Sequence, residues 1–311
     1  MTGRDELAVL IPCRNEAATV ATVVQDFALA LPGARIHVFD NASSDDTAAR
    51  AGAAGAEVHR VGRPGKGNVV RKMFSDVEAT VYLIVDGDDT YDASAAPELV
   101  ARLRRESLDM VVASRFTEPP HDQYHRPGHR LGTRLFGRLY THLFGLGFTD
   151  VFSGYRVFTR RFVKSFPATT SGFDVETELI AHAFDLGVDV AEVPSRYRPR
   201  PSAEGSKLRT ARDGWRILRS ATRLYRETRP LPFYGGFAAL ITVVNLLAGL
   251  PLLVEYLDSG LVPRYPTAIL LASLQVIAVV FLAIGLVGES LSRQRREQRR
   301  MAFLAVPAEG T

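Results

Sequence analysis

The chain has 311 residues, a formal charge of +4, 46% hydrophobic and 23% charged side chains, and one cysteine, Cys13. That apolar share excludes wholesale disorder, and a lone cysteine excludes an intrachain disulfide framework or a cysteine-clustered metal site. The length suits one large α/β domain with appendages, or two small domains. From Leu7 to about Val193, short apolar runs alternate with helical stretches. LAVLIP over 7–12 predicts a buried strand, and Glu16 to Leu29 a helix. RIHVFD over 35–40 predicts a second strand, followed by the helix start SSDDT and an Ala-rich helix to about Ala54. EVHRV over 57–61 is a third strand, and GKGNVVRKMF opens a helix after a Pro-Gly loop. VYLIVD over 81–86 is a fourth strand, Pro97 to Glu106 a helix, and DMVVAS over 109–114 a fifth strand. This order argues an open, mostly parallel sheet with helices on both faces, where ligands bind outside the carboxyl ends of the strands. Residues 116–130 and 196–206 read as long loops rich in Pro, Arg and Gly.

The last third differs. Two apolar stretches without charge run over 233–254 and 265–288, joined by a short turn holding Glu255, Asp258 and Arg264. Each reaches the roughly 20 residues that a membrane-crossing helix needs. Buried core helices are the alternative, but these rarely run so long without a charge. The first span follows an arginine-rich segment with Arg209, Arg212, Arg216, Arg219, Arg223, Arg226 and Arg229, and SRQRREQRR follows the second. Basic flanks stay on the cytoplasmic side, so the spans predict a hairpin with both ends inside. The N-terminus carries no apolar signal segment, which accords with a cytosolic catalytic domain. Over 207–229, Leu208, Trp215, Ile217, Leu218, Leu224 and Tyr225 alternate with the arginines at helical spacing. This predicts an amphipathic helix on anionic membrane lipids, and no nucleic-acid partner is expected beside two spans. The expected organisation is a catalytic domain over 1–206, an interfacial helix over 207–229, a transmembrane hairpin over 230–292 and a basic cytoplasmic tail over 293–311.

Polar clusters fall at the expected strand ends. The fourth strand ends in Asp86-Gly87-Asp88-Asp89. Carboxylates gathered past a buried strand are costly unless a cation neutralises them, and oxygen-only ligands suit Mg²⁺ or Mn²⁺ on a substrate diphosphate. An acidic turn capping the next helix is the other reading. The first strand ends in Pro12-Cys13-Arg14-Asn15-Glu16 and the second in Asp40-Asn41-Ala42-Ser43-Ser44-Asp45. Either cluster serves as plain helix capping, but their convergence along one sheet edge suits a nucleotide pocket. His121, His125 and His129 are spaced by four, yet Pro119, Pro120 and Pro127-Gly128 break the helix a zinc site would need.

The segments IPCRNEAATV, VFDNASSDDT, GKGNVVRKMF, VDGDDTYD, TDVFSGYRVF, the ETEL helix with AEVP after it, and EGSKL stand in this order between Leu7 and Arg229. Together they resemble the family 2 glycosyltransferases of GT-A fold, and within them the polyprenyl-phosphate sugar synthases that carry a C-terminal membrane hairpin. The resemblance implies a Rossmann-like α/β domain with a mostly parallel sheet, followed by the interfacial helix and two transmembrane helices. It implies that Pro12, Asn15, Glu16 and Asp40 line the base and ribose pocket of a UDP- or GDP-sugar, and that Lys66 approaches the donor. Asp86 and Asp88 would hold the divalent metal. Asp150 matches an acceptor-side aspartate, Arg156 and Glu178 match charged positions of the same half, and Lys207 would neutralise phosphate. Where Asn41 stands, many relatives have a second acid, which leaves the choice of nucleotide open.

The chemistry fits such a transfer. A diphosphate leaving group needs its developing charge stabilised, which a metal and a lysine supply. A lipid phosphate, with a second pKa of about 6, is largely ionised at neutral pH and needs little help from a base. Asp150 is therefore expected to orient groups or bind metal rather than abstract a proton. Two phosphorylated substrates need cations between them, and Arg115, Arg126, Arg130, Arg134, Arg138 and the arginines at 196–200 are available. The reading is an inverting transferase that moves a hexose to a polyprenyl phosphate, with room for a homo-oligomer. The alternative is a family 2 transferase with a glycan, lipid or protein acceptor. A nucleotidyltransferase would need a phosphate-cradling Gly-rich loop after the first strand, and PCRNEA is not one.

Overall fold

The structure is a computed structural model and describes residues 5–115, 150–169, 175–198 and 225–308, with 219, 222 and 223. The chain forms two compact units, residues 1–215 with 299–311, and residues 216–298. Lys207, Arg126, Arg130 and the three spaced histidines lie outside the described residues, as does most of the expected interfacial helix.

The first unit is built on a seven-stranded sheet of order β3-β2-β1-β4-β6-β5-β7. Its strands are β1 (Asp5–Cys13), β2 (Arg35–Asp40), β3 (Glu57–Arg60), β4 (Ala79–Ile84), β5 (Met110–Ser114), β6 (Arg156–Thr159) and β7 (Val190–Pro194). The helices are α1 (Val20–Ala30), α2 (Thr47–Ala53), α3 (Lys66–Asp76), α4 (Ala96–Arg105), α5 (Arg160–Ser165) and α6 (Val175–Leu186). β1, β2, β3 and β4 pair in parallel, as the strand–helix alternation requires. The central strands are buried on both faces: Ala8 to Ile11 are fully inaccessible, as are Tyr82, Leu83 and Met110 to Ala113. Such continuous apolar runs are what a helix-covered parallel sheet demands.

One strand departs from the expected pattern. β6 runs antiparallel between β4 and β5, with Arg156 opposite both Ile84 and Val112. It passes into α5 without a loop, because the Thr159 side chain accepts from the Phe162 amide and caps the helix at once. The α1 start is also later than expected, at Val20, because residues 14–19 form the polar turn at the site.

The second unit holds α7 (Pro230–Ser259) and most of α8 (Tyr265–Leu304). Both are long and apolar enough to cross a membrane, and only 11% of each apolar window is buried. Gly288 lies against Pro230, where a Cβ would approach its ring carbons to 2.8 Å, so a small residue sets this helix contact. Further along, Asn245 donates to Leu271 O (3.1 Å) and Gln275 Oε1 (3.2 Å), and Gln275 donates to Thr242 Oγ1 (3.2 Å). The basic run from 293 continues α8, which stays helical to Leu304.

Candidate active site

The carboxyl ends of β1, β2 and β4 meet the start of α3 in an open cleft of about 860 Å³, solvent space included. Pro12, Asn15 and Glu16 line it on one side, Asn41, Gly65 and Lys66 on another, with Asp86 and Asp88 on the floor. Asp40 does not line the cleft. It is buried, and its carboxylate accepts from the Ser43 amide at 3.3 Å, shaping the turn behind the pocket.

The turn after β1 is locked to the turn after β2. Asn15 sits at φ 59°, its amide donates to Ser43 Oγ (3.0 Å), and its side-chain oxygen accepts from the Ser44 amide (2.8 Å). The Glu16 amide donates to Thr47 Oγ1 at 2.9 Å. Asn41 clasps the loop that leads into α3. Its amide nitrogen donates to Val61 O (3.2 Å) and Arg63 O (2.7 Å), while its oxygen accepts from the Gly65 amide (2.8 Å). Gly65 adopts φ 120°, which glycine alone tolerates readily, and delivers Lys66 into the cleft.

Lys66 is the hub. Its Nζ lies 2.6 Å from Asp86 Oδ1 and 2.6 Å from Glu176 Oε1. Burial would lower its pKa, but the charges of Asp86 and Glu176 outweigh that and push it well up, so Lys66 is a permanent cation. Glu176, at 7% exposure, enters from the first turn of α6, and its other oxygen is a buried acceptor without a hydrogen-bond partner among the described residues. Asp86 packs on Gly154, where any Cβ would collide with its carboxylate. The Gly154 amide is held by donation to Tyr91 Oη at 2.8 Å. Asp88 accepts from Thr90 Oγ1 at 2.6 Å and the Thr90 amide at 3.3 Å.

The cleft floor is strongly negative. The Cys13 thiol is driven well above its usual range, first by burial and then by the charges of Glu16, Asp86, Asp40 and Asp88. An oxygen-only donor set under such a potential fits a hard divalent cation, with Asp86 and Asp88 as the groups that would hold it.

Asp150 lies apart from that floor. It is fully buried and paired bidentately with Arg115, Nε to Oδ2 and Nη2 to Oδ1 both at 2.8 Å, with the Arg115 amide donating as well at 3.0 Å. Both oxygens are thus occupied by one guanidinium, an arrangement that orients Arg115 and leaves no free base. Two expected acceptor residues are corrected. Arg156, at 1% exposure, donates to the carbonyls of Val151 (2.7 Å), Ser153 (3.0 Å) and Glu176 (3.1 Å). Its fork is spent tying backbone segments together, so it is not a phosphate ligand. Glu178 is buried and accepts from the amide and hydroxyl of Thr169. Residues two apart on a helix point about 200° from each other, so Glu176 and not Glu178 faces the cleft. Glu176, Tyr91 and Gly154 are the residues that sequence reasoning missed as parts of this site.

Comparison with known proteins agrees with this geometry. The profile of the family described as "Glycosyl transferase family 2" matches residues 8–166. The chain is 33% identical over 295 residues to glycosyltransferase AglJ of Haloferax volcanii, spanning 92% of this chain and 90% of that one. It is 27% identical over 221 residues to the polyprenol monophosphomannose synthase of Mycolicibacterium smegmatis, spanning 65% of this chain and 83% of that one. Among solved structures it is similar to glucosyl-3-phosphoglycerate synthase from Mycobacterium tuberculosis in complex with Mn²⁺, UDP and glucosyl-3-phosphoglycerate. The TM-score is 0.54 at 28% identity, covering 70% of this chain and 80% of that one. A mostly parallel sheet with a carboxylate-floored cleft at its strand ends, the family profile over residues 8–166, and a 33% identical relative matched along nearly the whole length make this chain a member of glycosyl transferase family 2 with a GT-A fold.

Proposed function

We propose that this glycosyltransferase moves a hexose from a nucleotide sugar to a polyprenyl phosphate at the cytoplasmic face of a membrane. The observation that carries the reading is the pair of long apolar helices joined to the transferase domain, with Leu246, Leu247, Leu257, Ile269 and Leu286 among many exposed apolar side chains. Such surface is unfavourable in water and natural in hydrocarbon. Arginines at 293, 295 and 296 follow the second span and support an end on the cytoplasmic side. The relative named as a polyprenol monophosphomannose synthase supports the same acceptor class. A uridine donor is supported by the UDP-bound structural neighbour.

In this mechanism the base and ribose lie along Pro12, Asn15, Glu16 and Asn41. Asp86 and Asp88 would hold the divalent ion, which supplies positive charge to the leaving diphosphate. Lys66, already charged and poised at Asp86, supplies a second cation on the same side. An ionised phosphate oxygen of the acceptor attacks the anomeric carbon as the bond to the diphosphate breaks, with inversion. No proton need be removed, which agrees with an Asp150 whose oxygens are both committed to Arg115. Arg115, held in place by Asp150, and Arg14, which lines the cleft, are proposed to meet the acceptor phosphate. Arg126, Arg130 and Lys207 are proposed as their partners from the sequence.

The glucosyl-3-phosphoglycerate synthase solved with phosphoglyceric acid favours a second reading, a small soluble phosphorylated acceptor. One assay separates them. Purified full-length enzyme in bilayer nanodiscs receives radiolabelled UDP- or GDP-sugars with polyprenyl phosphate, the matched free polyprenol, or 3-phosphoglycerate. Label in the polyprenyl phosphate alone is expected. Equal transfer to the free alcohol, or transfer to phosphoglycerate only, defeats the lipid-phosphate reading.

A further inference from the structure

The edge of the sheet far from β5 carries a polar cluster that the transfer chemistry does not use. His37 on β2 stands opposite Glu57 on β3 in the strand register, and His59 follows two residues later on the same face. His37 Nδ1 lies 3.1 Å from His59 Nε2. One Glu57 oxygen lies 3.5 Å from His37 Nδ1 and the other 3.4 Å from His59 Nε2. The imidazoles can share one hydrogen bond between them, but both carboxylate distances are too long for a good one.

These separations suit a metal. Ligand atoms about 2.0–2.1 Å from a tetrahedral ion stand roughly 3.3 Å apart. The two imidazole nitrogens stand 3.1 Å apart, one Glu57 oxygen lies 3.5 Å from His37 Nδ1 and the other 3.4 Å from His59 Nε2, and one ligand atom from each of the three residues falls within 4.8 Å of the others. The donors are held on adjacent strands rather than on loops, and the His59 ring is fixed by stacking on Phe39 at 4.4 Å between centroids. Access is open at one side: His37 is buried, His59 partly buried, and the Glu57 side chain is 51% exposed. One competing partner is Arg35, whose guanidinium reaches Glu57 at only 3.7 Å and is itself largely exposed. Two histidines and a carboxylate are a borderline-soft set that selects Zn²⁺ over the Mg²⁺ or Mn²⁺ suited to the aspartates of the cleft.

We propose that His37, Glu57 and His59 form a second metal site, a Zn²⁺ clip with its fourth position open to water. The clip pins β3, an edge strand of four residues whose ladder rests on β2 alone. The segment that follows, Val61 to Gly65, is the one Asn41 clasps at the cleft. Zinc at the edge therefore braces one wall of the donor pocket without touching substrate.

The test uses full-length protein purified without a polyhistidine tag and stripped with chelator. Zn²⁺ is titrated in competition with a chromophoric chelator, and Co²⁺ is used as a spectroscopic probe. One tight Zn²⁺ per chain is expected in the wild type and equally in Asp88→Asn, together with the intense visible bands of four-coordinate Co²⁺. His59→Gln, at a partly exposed position, should lower Zn²⁺ affinity at least roughly tenfold, the scale set by loss of even a supporting group, and should abolish those bands. Glu57→Gln gives a second, more exposed variant should His59→Gln fold poorly. Absence of Zn²⁺ binding in the wild type, equal binding in His59→Gln and Glu57→Gln, or loss of the tight ion in Asp88→Asn would each overturn the proposal.

Discussion

Asn41 donates twice and accepts once within a single loop, a combination that no carboxylate can reproduce. An acid at this position would face the Val61 and Arg63 carbonyls with lone pairs only. Asn41→Asp is therefore expected to cost about 1–3 kcal/mol at the loop and to weaken UDP binding, as measured by calorimetric titration. Unchanged nucleotide affinity would show that the clasp does not shape the pocket. The aspartates of the floor make a sharper case. Asp88→Asn removes a charge from the only described pair suited to the ion. Turnover should fall by at least roughly 100-fold, on the scale of losing one key electrostatic group in a site, while the thermal midpoint stays near wild type. Excess EDTA should stop the wild type and added Mn²⁺ restore it. Full activity in chelator would remove the metal from the mechanism.

At the scale of an element, α6 shows how one helix divides its tasks. Glu176 turns to Lys66, Glu178 to Thr169, and His182 lies fully buried with its Nε2 3.0 Å from Ser165 Oγ. Glu176→Gln should reduce kcat well beyond Glu178→Gln, since only the former loosens Lys66. Comparable losses would deny Glu176 its place in the site. Burial and then the Arg299 charge hold the His182 pKa down at about 3, well below the 6.5 of an ordinary imidazole. Below pH 6.5 the unfolded chain takes up a proton that the folded imidazole refuses until about pH 3. Stability is then fully present above that window and falls with pH inside it, by up to about 1.4 kcal/mol per pH unit. Melting curves between pH 7 and 4 should show a shallower decline for His182→Gln than for wild type, and parallel curves would rule the histidine out as the source.

The same elements show what the sequence made readable. The strands from β1 to β5 announce themselves as apolar runs between Pro, Gly and Asp punctuation, and the acidic strand end led directly to the cleft. β6 stayed hidden because RVFT enters α5 with no turn residue between them, so two short elements merged into one mixed stretch. Glu176 was missed beside Glu178 because choosing between them needs the phase of the helix, which depends on contacts distant in sequence. Arg156 was misread because a charged side chain near a motif suggests a ligand, whereas this one satisfies buried carbonyls. Arg156→Ala should lower the thermal midpoint strongly, with a cost of about 3 kcal/mol or more, and a midpoint near wild type would contradict that structural role.

On the scale of the whole molecule, the apolar hairpin predicts that the full chain stays in the membrane pellet after a carbonate wash. Reporters fused after Thr311 and within 257–263 should report opposite sides of the bilayer. Release by carbonate, or reporters on one side, would disprove the two spans. The sheet order carries a consequence of another kind, for the chain as it leaves the ribosome. β3, β2, β1 and β4 are mutual neighbours and are all made by residue 84, but the far side of β4 is closed only by β6, which begins at Arg156. β5, although made earlier than β6, pairs only with β6 and β7. About 70 residues, several seconds of synthesis, thus separate a half-sheet with an apolar open edge from the strand that seals it. During that interval the nascent enzyme presents Val81 to Ile84 to any other unpaired strand. Its yield in the cell is then set less by final stability than by how well that edge is guarded while translation proceeds.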